Sequence, residues 1–379
     1  MCLKIVIVPD KFKGTLTARA AAEAIGRGWH AGRPGDQLEL MPMSDGGDGF
    51  GEVFGTMSGA KQRSARTRDA AGRACSSPWW WLPDTETAIV ESARVIGLAM
   101  LPAGEFHPFE LDTTGLGCLL KTVAGREAKR CIVGIGGSAT NDGGFGMARA
   151  LGWDFLDRKG NRIGHWTELH ELKSLRPPRQ SRLFKQVIVA ADVRNALLGR
   201  DGATRVYGPQ KGLRPDDLAT AERCLRRLAT VVHETLGKDF ARLPGAGAAG
   251  GLGFALAAFL GAEFETGFEL FTRHSKLLSR LKSADLVITG EGAVDASTMM
   301  GKGVGQIAAL CRDMRVPCMA LAGVVTIGDA RRRLFTGMRA LTELTSGAKA
   351  KAAPGLWLER LTRRAAEEFV PGETSGGRR

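Results

Sequence analysis

Short apolar runs recur along the chain and predict the strands of an α/β protein. The first run, Lys4–Val8, is rich in β-branched residues and ends at Pro9 and Asp10, which indicates a buried strand. Similar runs follow at Leu38–Met43, Thr87–Val90, Cys131–Ile135, Gln186–Ala191, Asp285–Thr289 and Val316–Ala322. Because helical patterns lie between most of these runs, we expect parallel sheets that are covered by helices.

Two helices have clear ends in the sequence. Thr17 can cap an alanine-rich helix that reaches about Gly28. A longer helix is predicted over Asp216–Leu236, where apolar residues recur every three or four positions, and Gly237 ends it.

Two other apolar stretches are less regular. Leu243–Ala262 lacks charged residues but is rich in glycine and alanine, so it predicts a glycine loop followed by a buried helix rather than a membrane span. The consecutive residues Trp79, Trp80 and Trp81 predict a strand or hairpin with one buried side, in preference to a platform for nucleobases.

Composition and charge narrow the function classes. Of 379 residues, 44% are apolar and 25% are charged, as in globular proteins. The net charge of +13 would suit nucleic acid, acidic lipid or an anionic small molecule, but no block of five like charges occurs, which disfavours nucleic acid. The seven cysteines form no C-x-x-C pair, which predicts reduced thiols and a cytoplasmic location.

The length predicts about two domains. Polar stretches at Lys61–Ser77 and Thr266–Lys282 are the candidate crossings between them. The predicted division joins residues 1–75 with 275–379 in one α/β domain and leaves residues 76–274 for the second.

Several loops that follow predicted strands carry residues suited to anions or metals. Asp10, Lys11 and Lys13 precede a helix N-terminus, where an anion can bind. Asp45 and Asp48 lie among glycines and suit Mg²⁺ or a hydroxyl group, or form an ordinary surface turn.

The loop Gly134–Gly144 is the strongest candidate for a phosphate site. Its glycines, with Ser138, Thr140 and Asn141, offer many backbone N–H groups beyond a strand. Gly134, Gly136 and Ala139 also fit G-x-G-x-x-A, but the helix is expected only at about Phe145, too late for a dinucleotide fingerprint.

Three further features allow more than one interpretation. Gly245, Gly247 and Gly250 fit G-x-G-x-x-G without a preceding strand, so they predict a flexible or nucleotide-facing loop. Glu291 and Asp295 follow another strand, and Lys302 stands between glycines without forming a Walker A motif. Asp192 ends a strand as a lone carboxylate, either functional or capping.

Taken together, these blocks resemble the type I glycerate kinase family. The resemblance rests on residues 9–16, 45–49, 91–93, 134–144, 191–193, 206–212, 244–253 and 288–292. It implies two α/β domains, one of them Rossmann- or flavodoxin-like with a parallel sheet, and an active site in the cleft between them. It also implies phosphorylation of D-glycerate by ATP with Mg²⁺, with 2-phosphoglycerate favoured over 3-phosphoglycerate, and leaves a homodimer open.

The resemblance lets roles be assigned to the candidate residues. Asp192 is expected to act as the base and Lys13 to hold the glycerate carboxylate, with Lys11, Asp10 and Asp45 as competitors. The predicted nucleotide-binding residues are Gly136, Gly137, Ser138, Thr140, Asn141, Lys302 and Glu291, and the predicted Mg²⁺ ligands are Asp45, Asp48 and Asp295.

Some positions depart from the family pattern, and two other functions stay open. Lys11 stands where the family usually has serine, Arg194 where it has aspartate, and a glutamine and a proline are missing after Glu291 and Lys302. The alternatives are a nicotinamide-dependent oxidoreductase of hydroxy acids and a basic nucleic-acid-binding protein.

Overall fold

The computed structural model describes residues 2–12, 14–44, 46–47, 49–179, 182–296, 298, 303–328 and 334–371. Its strands are β1 (Lys4–Pro9), β2 (Gln37–Leu40), β3 (Lys61–Arg68), β4 (Ala74–Leu82), β5 (Thr87–Glu91), β6 (Arg130–Gly134), β7 (Asp154–Leu156), β8 (Ser174–Arg176), β9 (Gln186–Ala190), β10 (Glu263–Glu265), β11 (Leu286–Val294), β12 (Cys318–Val325) and β13 (Gly337–Ala340).

The α-helices are α1 (Ala18–Gly32), α2 (Phe50–Met57), α3 (Ala93–Ile96), α4 (Thr114–Ala124), α5 (Phe145–Ala150), α6 (Ala203–Tyr207), α7 (Pro215–Leu236), α8 (Ala248–Leu260), α9 (Gly267–His274), α10 (Leu277–Lys282), α11 (Gly303–Met314), α12 (Gly347–Ala352) and α13 (Pro354–Glu368). Short 3₁₀ helices occur at Pro83–Thr85, Leu98–Met100, Pro108–Glu110, Trp166–Glu171, Pro209–Lys211 and Leu341–Glu343.

The chain divides into two compact units. The first unit contains Met1–Asp45 and Phe268–Arg379, and the second contains Gly46–Gly267. These limits differ from the predicted boundaries at residues 75 and 274. The first boundary is earlier than predicted, because β3 pairs with β4 along its whole length and so belongs to the second sheet. The division of the chain into two domains with these bounds stays a prediction.

The first unit has a five-stranded sheet in the order β13-β12-β11-β1-β2, and all of its strands are parallel. Its core includes Ile5 and Ile7 of β1, Ile288 of β11 and Trp29 of α1. The parallel α/β architecture predicted for this part is confirmed.

Helix α1 begins as predicted but ends later. The Thr17 Oγ1 accepts the Ala20 N–H at 3.1 Å, which confirms the cap. The expected end at Gly28 is wrong, because the helix runs to Gly32. Gly28 serves close packing instead: a Cβ there would lie 2.3 Å from the Glu359 carbonyl oxygen of α13.

The second unit has a six-stranded mixed sheet in the order β10-β9-β6-β5-β4-β3. β3, β4 and β5 pair antiparallel, whereas β5, β6, β9 and β10 run parallel. Helix α7 ends at Leu236, and Gly237 follows it with a φ of 70°, as predicted.

The three tryptophans lie on β4 with both sides of the strand covered, so the expectation of one buried side is wrong. Trp79 and Trp81 join the main core of this unit, with ring centroids 6.3 Å apart. Trp80 faces the other way and packs against α2, where a Cβ at Gly51 would lie 2.0 Å from its ring.

The segment 243–262 forms a glycine loop and then the buried helix α8, as predicted. In the described part of the chain, no helix has both the length and the apolar character that crossing a bilayer needs.

Candidate active site

Four parallel strands of the second unit end in one row. The register pairs Glu91 with Gly134, Gly134 with Ala190, and Ala190 with Glu265. The carboxyl ends of these strands therefore lie at the same edge of the sheet, which is where α/β proteins bind ligands. Asp192 lies two residues beyond the end of β9, the strand next to β6.

The loop after β6 is accessible only at its start. Gly136 is half-buried, and Gly137 is exposed with a φ of 76°. The Gly136 N–H donates to the Gly46 carbonyl oxygen at 3.3 Å, and the Ala139 N–H donates to the Ile96 carbonyl oxygen at 2.8 Å. The backbone that an anion can approach is therefore that of Gly137, whereas the Gly136 N–H is already bonded and residues 138–144 are covered.

Three polar side chains of this loop that are predicted to bind nucleotide, those of Ser138, Thr140 and Asn141, are buried. Ser138 Oγ and Thr140 Oγ1 lie 3.0 Å apart, and the Asn141 Nδ2 donates to Thr204 Oγ1 at 3.1 Å. The Asn141 Oδ1 is buried without a hydrogen-bond partner in the described part of the chain. These side chains shape the loop, and their role toward a nucleotide stays a prediction.

Asp142, which the sequence analysis did not select, organises the end of this loop. Its Oδ2 accepts the Thr113 N–H at 3.0 Å, the Thr113 hydroxyl at 2.7 Å and the Gly146 N–H at 3.0 Å, and its Oδ1 accepts the Gly144 N–H at 3.1 Å. Burial raises the pKa of Asp142 to about 6, and the nearby charge of Asp112 adds to the rise. Because all four partners of this fully buried carboxylate are donors, an amide in its place could not accept from all of them.

Lys211 is the second residue that the sequence analysis missed. It is buried, and its Nζ donates to the Thr140 carbonyl oxygen at 2.6 Å. Burial lowers the pKa of Lys211 to about 7, although the attraction of Asp142 opposes this change. The sequence signal for Lys211 is its place in the block 206–212, which is one of those that carry the family resemblance. A single lysine near glycines does not by itself indicate a buried side chain.

The second glycine-rich loop packs against the first. The Gly143 N–H donates to the Gly250 carbonyl oxygen at 3.0 Å. A Cβ at Gly250 would lie 2.0 Å from the Thr140 carbonyl oxygen and 2.9 Å from the Lys211 Nζ. Gly250 is buried with a φ of 69°, so this loop supports the first loop rather than forming an open turn.

Asp192 is exposed just beyond β9. Its Oδ1 accepts the Gly267 N–H at 2.8 Å, at the start of α9. An exposed carboxylate on a strand end combines accessibility with a rigid support, as a catalytic base requires.

Glu91 anchors the segment that follows Asp48. It is buried, and its carboxylate oxygens accept the Gly49 and Gly51 N–H groups, each at 2.9 Å. These bonds satisfy donors at the N-terminus of α2 and hold this segment beside the strand-end row.

In the first unit, the structure brings Asp10 and Glu291 to one sheet edge. β1 and β11 pair in parallel up to Pro9 and Gly290, so the two acidic residues come next in register. Both are buried, and the Thr298 hydroxyl donates to the Glu291 Oε1 at 2.7 Å. The Lys11 N–H donates to the Asp10 Oδ1 at 2.7 Å.

Four of the predicted site residues, Lys13, Asp45, Asp48 and Lys302, lie outside the described residues. Of the predicted metal ligands, Asp295 is described, and its Oδ1 accepts the Thr298 N–H at 3.3 Å. In the ranges that the structure describes, no three His, Cys, Asp or Glu side chains are grouped so that they could hold a metal ion.

The two alternative functions find little support in the described geometry. β6 ends at Gly134 and α5 begins only at Phe145, so the helix start that a dinucleotide fingerprint needs is absent from this motif. The neighbouring residues Arg363 and Arg364 each form an ion pair, with Glu367 and Glu368, so their positive charges are partly offset.

Comparisons with known proteins agree with this picture. The model of the glycerate kinase family matches residues 5–369. A glycerate kinase of Halalkalibacterium halodurans is 38% identical over 87% of each chain, and a glycerate 2-kinase of Escherichia coli K12 is 37% identical over 86% of each chain. A crystal structure from Salmonella typhimurium LT2, described as a candidate glycerate kinase 2, has a TM-score of 0.81 and 32% identity, and the match covers 97% of this chain and 98% of that one.

The family match spans both units, including the strand-end loops of each. The chain therefore belongs to the glycerate kinase family and is an ATP-dependent kinase.

Proposed function

We propose that this enzyme transfers the γ-phosphoryl group of ATP to the 2-hydroxyl of D-glycerate and so forms 2-phosphoglycerate. The observation that carries the proposal is the juxtaposition at the ends of β6 and β9. Gly137 offers exposed backbone after one strand, next to the half-buried Gly136, and the exposed carboxylate of Asp192 follows the neighbouring strand. The Escherichia coli relative named glycerate 2-kinase supports the choice of hydroxyl.

Phosphoryl transfer asks the protein mainly for positioning and charge stabilisation. We assign Gly136, Gly137 and the loop around them to the phosphates, and Asp192 to the proton of the substrate hydroxyl. For the substrate carboxylate we propose Lys13 or Lys11, since an ammonium ahead of the N-terminus of α1 favours an anion. Asp10 is the competing candidate for the base.

Other assignments rest on sequence alone. We propose Glu291 and Lys302 for the nucleotide and Asp45, Asp48 and Asp295 for Mg²⁺. Bound with ATP, Mg²⁺ would offset part of the phosphate charge. A cytoplasmic location is supported by the seven free thiols. A homodimer stays a prediction, which light scattering on the purified protein would test.

The product can be identified without reference compounds. After reaction of D-glycerate with ATP, the proton-coupled ³¹P spectrum of 2-phosphoglycerate shows a doublet, because one hydrogen lies on the esterified carbon. Esterification at the other hydroxyl gives a triplet, and that result would contradict the proposal. ADP release with D-glycerate, compared with other hydroxy acids, measures the substrate preference.

The role of Asp192 can be tested by Asp192→Asn. Asparagine keeps an oxygen that accepts the Gly267 N–H, so the local structure is expected to persist. Loss of a general base typically lowers the rate by about 10²–10⁴-fold. We expect kcat to fall by that order with the KM for D-glycerate nearly unchanged.

Asp201→Asn is the matched control, because Asp201 is an exposed carboxylate in the same loop. It is expected to leave kcat near that of the wild type. A wild-type kcat for Asp192→Asn would move the base to Asp10 or Asp45.

A further inference from the structure

One segment of the second unit contacts both the glycine loop after β6 and the loop that carries Asp192. We call residues 203–212, which comprise α6 and the 3₁₀ helix Pro209–Lys211, the linking segment. Three of its side chains, from Thr204, Tyr207 and Lys211, make these contacts.

Toward the glycine loop, the linking segment makes two buried hydrogen bonds. Lys211 Nζ donates to the Thr140 carbonyl oxygen at 2.6 Å, and Thr204 Oγ1 accepts the Asn141 Nδ2 at 3.1 Å. Thr204 is fully buried and Lys211 is only 7% exposed. Bonds of this kind, shielded from water, restrain the loop more than exposed bonds would.

Toward the Asp192 loop, the contact is made by Tyr207. Its hydroxyl donates to the Asn195 Oδ1 at 2.7 Å. Asn195 is held on two other sides, because its Nδ2 donates to the Asp201 carbonyl oxygen at 2.7 Å and its own carbonyl oxygen accepts the Gly247 N–H at 2.8 Å. Asn195 lies three residues after Asp192, so a shift of Tyr207 would be felt in the loop that presents the carboxylate.

We propose that the linking segment couples the glycine loop to the Asp192 loop, with Lys211 and Tyr207 as its positioning residues. Neither side chain needs to touch a substrate. A nucleotide that moves or tightens the backbone at Thr140 also moves Lys211, and α6 carries this change to Tyr207 and Asn195. The inference rests on the proposed function, since it takes the glycine loop as the phosphate site and Asp192 as the base.

The chain offers a direct probe of this coupling, because Tyr207 is its single tyrosine. Protein labelled with 3-fluorotyrosine therefore gives one ¹⁹F resonance, and this resonance reports on the linking segment. We expect saturating β,γ-imido-ATP to shift or broaden it in the otherwise wild-type protein. An unchanged resonance, with binding of the analogue verified by calorimetry, would overturn the proposal.

Lys211→Met tests whether the coupling passes through Lys211. The substitution removes the donor to Thr140 and keeps a side chain of similar length. In the labelled variant, the bound analogue should therefore no longer shift or broaden the ¹⁹F resonance. Lys173→Met is the control, since Lys173 is exposed in the same unit, and it should keep the wild-type response. A full response in Lys211→Met would overturn the role of Lys211.

Tyr207→Phe gives an independent kinetic test that changes only one hydroxyl of a half-buried side chain. Couplings between sites typically correspond to changes of about 5–150-fold. We expect kcat/KM for D-glycerate to fall at least about fivefold, with the KM for ATP unchanged. Wild-type values for both substrates would contradict the coupling. If the wild type releases no ADP in the presence of D-glycerate, the proposed function is contradicted instead. The ¹⁹F experiment does not depend on that result, because it needs only the nucleotide analogue.

Discussion

Two glycine-rich loops of the second unit share nearly the same spacing but differ in their surroundings. The loop Gly134–Gly144 leaves the carboxyl end of β6 and exposes Gly137. The loop around Gly245–Gly251 follows no strand, and Gly250 is buried against Thr140. The first loop has the accessible backbone that an anion needs, and in the second the missing Cβ atoms allow two loops to pack.

The comparison shows that glycine spacing alone does not identify a ligand-binding loop. The two loops differ in the element that precedes each of them and in whether solvent reaches their backbone. Substitutions at matched glycines can separate a role in packing from a role in binding. Substitutions of Asp142 and Lys211 test how these two side chains stabilise the first loop.

Gly250→Ala is expected to have the largest effect, which is a loss of stability. The new Cβ would lie 2.0 Å from the Thr140 carbonyl oxygen, at a φ of 69°. Strain and overpacking together should lower the free energy of unfolding by about 3 kcal/mol or more. Urea unfolding measures this loss.

Gly237→Ala is the matched control. Gly237 has a φ of 70°, and no atom lies within 4 Å of the place that its Cβ would take, so only the backbone strain of about 1 kcal/mol remains. Equal losses in the two variants would show that packing between the loops is not what requires Gly250.

Asp142→Asn should be the next most damaging change. All four groups around the carboxylate are donors. The new amide oxygen can accept from the three donors at Oδ2, but the amide nitrogen would then face the Gly144 N–H in a fully buried place. Unsatisfied bonds of this kind should lower the free energy of unfolding by about 3 kcal/mol.

Asp157→Asn serves for comparison, since Asp157 also accepts the N–H groups of Lys159 and Asn161 but does so near solvent. Water can satisfy the amide there, so a much smaller change is expected. A similar loss in both variants would contradict the importance of burial at Asp142.

Lys211 should make stability depend on pH. Burial lowers the pKa of Lys211 from its ordinary value of 10.5 to about 7 in the folded protein. Between these values the unfolded chain binds more protons, so the free energy of unfolding rises with pH, by at most about 1.4 kcal/mol per pH unit. The advantage of the wild type over Lys211→Met should therefore grow from pH 7 to pH 10. A constant difference across this range would show that the lysine stays protonated when buried.

The smallest effect concerns binding at the exposed glycine. Gly137→Val should hinder close approach of phosphate to the backbone and raise the KM for ATP by about tenfold, which equals about 1.4 kcal/mol. Gly104→Val is the control, because Gly104 is also exposed, with a φ of 74°. An unchanged KM in a folded Gly137→Val protein would remove this loop from the nucleotide site.

Much of the fold could be predicted because its signals are local. The β-branched run before Asp10, the Thr17 cap and the glycine after α7 each act within a few residues, and the structure confirms them. Predictions that depended on distant partners were less accurate. The predicted end of α1 at Gly28 is too early, since α13 packs against this part of the helix. The prediction of one buried side for the tryptophans is wrong because α2 covers Trp80.

The candidate site divides in the same way. The glycine loop, Asp192, Asp10 and Glu291 could be selected because polar residues after buried strands are visible in the sequence. Asp142 and Lys211 were missed, since their burial depends on segments far away in the chain. Lys211 and Thr140 are 71 residues apart, and Thr113 and Asp142 are 29 apart.

The sequence by itself determined the class of elements, their order and the loops at strand ends, because hydrophobic periodicity and turn residues control local conformation. The tertiary structure alone decided which glycine loop is accessible, which buried charges hold it and how Tyr207 reaches Asn195. The physical reason is that desolvation and hydrogen bonding depend on all atoms that surround a group in space, most of which come from elsewhere in the chain.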